Sequence, residues 1–192
     1  MLKILALDCA IETTGYAIVH MDNEHLIELY RFGVIQAPAL KAVGRTAYLA
    51  RGQYTADKVA ALLSTYGHAI DMVCAERTFV GRNGQTTVNL ATVRGIILAQ
   101  VIHSGFNPSD GMLMETEPAE VKKMIAGKGN AKKPDVANAV LERVKITPED
   151  RNALKKINKG FDVTDAIAIA LTCGLLCLKG DYDATHTPAK MD

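Results

Sequence analysis

Hydrophobic and polar positions divide this chain into short blocks. Residues 2–7 are apolar except for Lys3, and the run ends at Asp8, which predicts a buried strand. Residues 15–20 and 25–35 predict two more strands, separated by short polar turns that include Asp22 and Asn23. Three strands so close in sequence predict an antiparallel meander. Residues 45–66 then predict a long helix with Leu49, Val59, Leu62 and Leu63 on its apolar side. Residues 70–75 predict a buried strand ending at Glu76, followed by a loop with Gly81 and Gly84 and a helix over 85–104. Residues 112–115 predict a short strand. Thr116 is placed to cap a helix that starts near Pro118 and stops at Gly127 and Gly129. Pro134 starts a further helix to about Val144. Residues 145–160 are polar and lysine-rich, 161–178 form a strongly apolar helix, and 180–192 look like a solvated tail.

The predicted order is β-β-β-α-β-α-β-α-α-α. A meander leading into crossovers gives an α/β fold: a mixed five-stranded sheet, part antiparallel and part parallel, with helices on both faces. The 192 residues fit one domain, expected over 1–179 with a flexible tail over 180–192. The charged fraction of 22% and ordinary glycine and proline counts exclude a chain disordered throughout. The longest apolar run, 166–178, is bounded by Asp165 and Lys179 and is shorter than the roughly 20 residues of a membrane span. Lys3 and Asp8 leave too short an apolar stretch for a signal peptide, so a cytoplasmic protein is expected. Cys9, Cys74, Cys173 and Cys177 form no C-x-x-C pair and read as reduced core thiols.

Acids fall at particular places. Asp8 ends the first strand and Glu76 the fourth, while Asp162 and Asp165 open the last helix on one face, three residues apart. Strand ends and a helix start can converge, and four carboxylates at one point need cations between them. Hard oxygen ligands at that density suit Mg²⁺ or Mn²⁺, and two such ions support phosphodiester hydrolysis. Taken singly, each acid also has a structural explanation. Asp162 in particular is a good N-cap candidate, and acids in a first turn favour the helix dipole.

Basic residues gather in the C-terminal half. Lys122, Lys123, Lys128, Lys132 and Lys133 face only Glu120 over 120–133. Arg143, Lys145, Arg151, Lys155, Lys156 and Lys159 follow. Such a face beside an acidic helix start suits a phosphate backbone, although a solvated surface is the common fate of lysine runs. Phe79 lies three residues past Glu76 in a glycine-rich loop with Arg82, where an aromatic can serve the core or stack on bases. Thr13-Thr14-Gly15 after Asp8 faintly suggests the first phosphate loop of actin-like ATPases, but no Walker A motif and no G-x-G-x-x-G is present.

The same residues resemble the RuvC family of Holliday-junction resolvases, of the RNase H-like (retroviral integrase) superfamily. The stretches that carry the resemblance are Leu7-Asp8 with Thr14-Gly15-Tyr16, Ala75-Glu76 through Phe79 to Arg94-Gly95, and Val121-Lys122 through Gly127-x-Gly129 to Lys133. The most specific is Asp162-Val163-Thr164-Asp165-Ala166-Ile167-Ala168-Ile169-Ala170. Two departures stand out: Cys9-Ala10 replaces the family's usual Pro-Gly, and the segment from Lys133 to Asp162 is longer and more basic than in typical bacterial members.

The resemblance implies an RNase H-like fold and a Mg²⁺-dependent crossover junction endodeoxyribonuclease with two ions per active site, Mn²⁺ substituting. Metal ligands would be Asp8, Glu76, Asp162 and Asp165, with Lys122 and Lys133 acting on phosphate near the scissile bond. Phe79 would enter the junction centre, and Arg82, Lys123, Lys128 and Lys132 would add DNA contacts. The partner would be four-way or branched DNA held by a homodimer built on helix 85–104, with a branch-migration motor as a plausible further partner. A broader branched-DNA or RNA–DNA hybrid nuclease and a non-catalytic junction-binding protein are the rival readings.

Overall fold

The computed structural model describes residues 1–22, 27–39, 41–78 and 84–180. Strands β1 (Leu2–Asp8), β2 (Thr13–Met21) and β3 (Ile27–Gln36) form the expected meander. β4 (Met72–Glu76) and β5 (Leu113–Thr116) add to the other edge in parallel, giving the order β3-β2-β1-β4-β5. Among the described residues the α-helices are α1 (Ala47–Tyr66), α2 (Gly84–His103), α3 (Pro118–Ala126), α4 (Lys133–Arg143), α5 (Pro148–Ile157) and α6 (Asp162–Lys179). The mixed sheet with helices on both faces is the architecture that the sequence pattern predicts.

Alternation along the strands sorts side chains between two cores. Leu5, Leu7 and Ile18 meet Val59, Val93 and Ile97 of α1 and α2 on one face. Ile4, Ala6, Ala17 and Val19 meet α6 on the other, with α3 and α4 outside it. Helix α6 is buried continuously from Ala166 to Gly174, as its all-round apolar sequence requires. Its small residues bring it close to the sheet: a Cβ on Gly174 would collide with Met21 Sδ and sit 3.0 Å from Ile4 Cδ1. All four cysteines are free thiols, and Cys74 and Cys173 are buried. Among the described residues no single helix is long and apolar enough to cross a membrane.

Two local expectations are corrected. Thr116 does not cap α3. It is the last residue of β5, paired with Glu76, and its buried hydroxyl finds no partner, while Glu117 takes the N-cap position without a side-chain bond. The lysine-rich stretch 145–160 contains α5. Only Leu154 is buried there, so the apolar periodicity that announces a helix is missing. The start signal was nonetheless present: Thr147 accepts a hydrogen bond from the Asp150 backbone N–H at 3.0 Å, and Pro148 occupies the first helical position. The tail 181–192, the Asn23 turn and the loop 79–83 with Gly81 lie outside the described residues.

Candidate active site

The site forms where strand ends meet helix starts. Ile4, Ala6 and Asp8 share the α6 face of β1, and Met72, Cys74 and Glu76 share that face of β4. The two strands are parallel neighbours with Leu7 beside Ala75, so Asp8 and Glu76 leave the sheet side by side. Across the other edge of β1, Asp8 pairs with Gly15. That glycine admits the first turn of α6, because a Cβ there would overlap the Asp162 carbonyl and lie 3.0 Å from its Cβ.

Asp8, Glu76, Asp165, Lys122 and Lys133 line one cavity of about 130 Å³, walled by Pro118, Val121 and Val136. Lys133, the first residue of α4, donates to Asp165 Oδ2 at 2.6 Å. The carboxylates are poorly compensated. Burial, then the charges of Asp165 and Glu76, push Asp8 up to about 7. Glu76 rises to about 6, again through burial and then Asp165, with Lys122 and Lys133 opposing. Asp165 also stands above its ordinary value, because burial outweighs the Lys133 hydrogen bond. Burial alone would lower Lys133, yet its bond to Asp165 and the charges of Asp165, Asp8 and Asp162 hold it above the usual lysine value.

Asp162 is not among the residues that line this cavity, although its charge is felt by Asp8 and Asp165. It is not the N-cap of α6 either. Phe161 takes that position in the left-handed region, φ 68°, without a side-chain bond. Asn158 does the capping from outside the helix. Its Oδ1 accepts from the backbone N–H groups of Val163 and Thr164 at 3.0 and 3.1 Å, and its Nδ2 donates to Thr164 Oγ1 at 3.0 Å. The Asp162 carboxylate is thereby released from capping duty.

Of the remaining DNA-contact candidates, Lys123, Lys128 and Lys132 are exposed on α3, the following turn and the N-cap of α4, outside the cavity. Phe79 and Arg82 lie outside the described residues. Two residues escaped the sequence reading. Arg94 of α2, only 14% exposed, donates from Nε to the Glu76 carbonyl at 2.8 Å and pairs with Glu115 of β5, so it ties the β4 end to α2. Asn158 is the other. Arg94 acts through residues distant along the chain, and Asn158 caps α6 from outside the helix, neither of which spacing announces.

Among the described residues no three His, Cys, Asp or Glu side chains close round one point as formed metal ligands do. The chemistry of the donor set nevertheless fits a hard divalent cation: the candidate donors are carboxylates, three of them are held above their ordinary values, and Asp165 has drawn in an ammonium group.

Sequence and structure comparisons agree with one another. The sequence model of the family described as crossover junction endodeoxyribonuclease RuvC matches residues 4–173. The protein of that name from Chlorobium phaeovibrioides is 30% identical over 187 residues, 97% of this chain and 88% of its own. That from Aliarcobacter butzleri is 32% identical over 171 residues, 89% of this chain and 97% of its own. Thermus thermophilus RuvC in complex with Holliday junction substrate superimposes with a TM-score of 0.73 at 19% identity, covering 94% of this chain and 97% of its own. The yeast mitochondrial Holliday junction resolvase Ydc2 gives 0.62 at 12% identity, covering 93% and 82%, and shares the fold. With its family model matched almost from end to end, the chain belongs to the RuvC family of crossover junction endodeoxyribonucleases.

Proposed function

We propose that this protein resolves Holliday junctions, nicking two strands of a four-way DNA junction symmetrically by phosphodiester hydrolysis during recombination, repair or phage DNA processing. The observation that carries this reading is the gathering of Asp8, Glu76 and Asp165 with Lys122 and Lys133 round one cavity at the ends of β1 and β4. Asp8, Glu76, Asp165 and Asp162 would hold the divalent cations, Mg²⁺ or Mn²⁺ and two per site, which when bound supply Lewis-acid chemistry for the hydrolysis. The protein's own part is electrostatic and positional. Lys122 and Lys133 meet the non-bridging oxygens and offset charge that develops there. Lys133 already donates to Asp165, which aims its ammonium group at the cavity and leaves further N–H donors for a phosphate oxygen. Removing that ammonium by Lys133→Ala should lower cleavage by about 10²-fold and reduce the salt slope of binding by about one. An unchanged slope would count against phosphate contact.

A junction offers two equivalent strands, which a two-fold symmetric dimer can cut in matching fashion. Helix α2 has a face suited to such a dimer: Val88 is 57% exposed, Ile102 45%, and Ala91, Gly95 and Ala99 lie exposed between them at helical spacing. Ile102→Glu should give a monomer by sedimentation, with paired nicking lost. A variant that remains dimeric would exclude this face. Phe79 and Arg82 follow Glu76 closely in sequence, which suits contact with the junction centre, and Lys123, Lys128 and Lys132 would hold the arms. The nuclease domain would span 1–179, and this protein would work in the cytoplasm.

The test is cleavage of a synthetic four-way junction beside linear duplex, Y-fork and RNA–DNA hybrid, with and without Mg²⁺. Paired symmetric nicks confined to the junction are expected. Cutting of every branched substrate would make it a broader debranching nuclease, and no Mg²⁺-dependent cutting would overturn the reading.

A further inference from the structure

Helix α5 lies between Lys133 and Asp162, and the active site does not use it. Its N-terminal end is fixed at the far end of the sheet. Lys145 N donates to the Ile27 carbonyl at 2.8 Å, and Leu29 N donates to the Lys145 carbonyl at 3.4 Å, so the segment clips onto the start of edge strand β3. β3 pairs antiparallel with β2, and β2 with β1, so β3 starts at the end of the sheet opposite Asp8. The other end of α5 leads to Asn158, which caps α6 where that helix rests over Gly15, beside Asp8. The ten residues of α5 therefore run about 15 Å from the far end of the sheet to the lip of the site.

The charges on this helix are unusually arranged. Leu154 alone is buried, whereas Arg151, Asn152, Lys155 and Lys156 are exposed. Arg151 and Lys155 stand four residues apart, and exposed Lys159 continues that spacing just past the helix end. Like charges at this spacing destabilise a helix by a few tenths of a kcal/mol per pair, where an acid would have stabilised it. The helix dipole favours cations in the last turn but not Arg151 in the first. The two acids of α5 sit at its start, where Asp150 is engaged with Thr147. Among the described residues none of Arg151, Lys155, Lys156 and Lys159 pairs with a carboxylate.

We propose that the outer face of α5 is a second DNA-contact surface, a basic rail that holds the sugar-phosphate backbone of one duplex arm as it leaves the cut site. The inference rests on the junction reading above. A polyanion is the partner that converts uncompensated like charges from a cost into a gain. The favoured polyanion is a duplex, because the C-terminal end of the rail leads through Asn158 to the first turn of α6, beside the cavity proposed to handle phosphate. Its length matches about four base pairs of one strand.

The test is junction binding across a salt series in EDTA, with R151Q/K155Q/K156Q and, separately, N152K. Glutamine keeps helix propensity, so melting should stay within a few degrees of wild type. The triple variant should bind at least about tenfold more weakly at 100 mM salt, and its slope of log K against log salt should fall by about 2.5. N152K adds a cation to the same face and should raise the slope by about one. A triple variant with the wild-type slope overturns the rail. If the triple variant fails to fold, N152K decides: a steeper slope supports the rail, and an unchanged one overturns it. Failure of the wild type itself to bind a junction would instead overturn the parent reading, and the rail with it.

Discussion

Asp8→Asn should abolish cleavage of a four-way junction, leave junction binding close to wild type, and make the metal-free protein more stable. The first two effects separate chemistry from recognition. Asp8 is a lining group of a small acidic cavity, whereas the DNA would be held mainly by lysines around it. The third effect follows from electrostatics. The folded protein holds the Asp8 carboxyl near 7 instead of its ordinary 3.8, through burial and the charges of Asp165 and Glu76. Between those two values the folded state keeps a proton that the unfolded state has lost. Stability of the metal-free wild type therefore falls as pH rises from about 4 to 7, and the full cost is present above 7. The rise from 3.8 to about 7 bounds that cost at about 4 kcal/mol, and structural relaxation and water penetration leave about half. Asn carries no charge, so the variant should melt about 5 °C higher than wild type at pH 8. The two should differ little at pH 4. Adding Mg²⁺ should stabilise the wild type and move the variant less, which reports cation binding without any cleavage assay. A variant that melts at or below the wild type at pH 8 would show that Asp8 is not held against its charge. Equal loss of binding and cleavage would sink the division of roles.

The residues that the sequence exposed and those that it hid differ in a physical way. Asp8 and Glu76 were legible because each interrupts an apolar strand, and strand alternation then decides which face it joins. Asp165 was legible because it shares a helix face with Asp162. The sheet order followed from closely spaced strands leading into crossovers. Helix α5 was hidden because Leu154 is its only buried residue, and its charged positions imitate a loop. The capping of α6 was hidden for another reason. Asn158 lies outside the helix and reaches its first turn only because Phe161 adopts φ 68°, a conformation that a non-glycine residue does not advertise. Arg94 lay within a stretch that carried the family resemblance, yet its task depends on the tertiary approach of α2 to the ends of β4 and β5. That tether joins the helix offered for dimerisation to the strand that carries Glu76. In the proposed dimer, subunit assembly and the placement of a candidate catalytic carboxylate would share one guanidinium group.

Among the described glycines, Gly15 should be the one most damaged by replacement with alanine, at about 3 kcal/mol or more in stability. The added carbon would overlap the carbonyl of Asp162. Both neighbours are fixed. Gly15 lies within β2, paired with Asp8 on one side and Val34 on the other, and the Asp162 carbonyl belongs to the first turn of α6. No rotamer change relieves a clash with backbone, so either β2 distorts or the start of α6 withdraws. Helix α6 cannot retreat as a body without opening the core, since it is buried continuously from Ala166 to Gly174. Its first turn would yield instead, pulling on the three hydrogen bonds of Asn158 and moving Asp162 and Asp165 away from Asp8. The expected result is a melting temperature lower by about 8 °C or more. Cleavage should be lost even at temperatures where the variant stays folded, and with it the stabilisation by Mg²⁺. Gly67→Ala, just past the end of α1, is the matched control, because its φ is −56° and an added Cβ meets only Phe106 Cε2 at 3.8 Å and Leu63 Cβ at 3.9 Å, ordinary contacts. It should leave melting of the protomer unchanged or slightly raised. A Gly15→Ala protein that melts within about 2 °C of wild type, the ordinary scatter of surface substitutions, and cuts junctions normally would show that the first turn of α6 is not seated against β2.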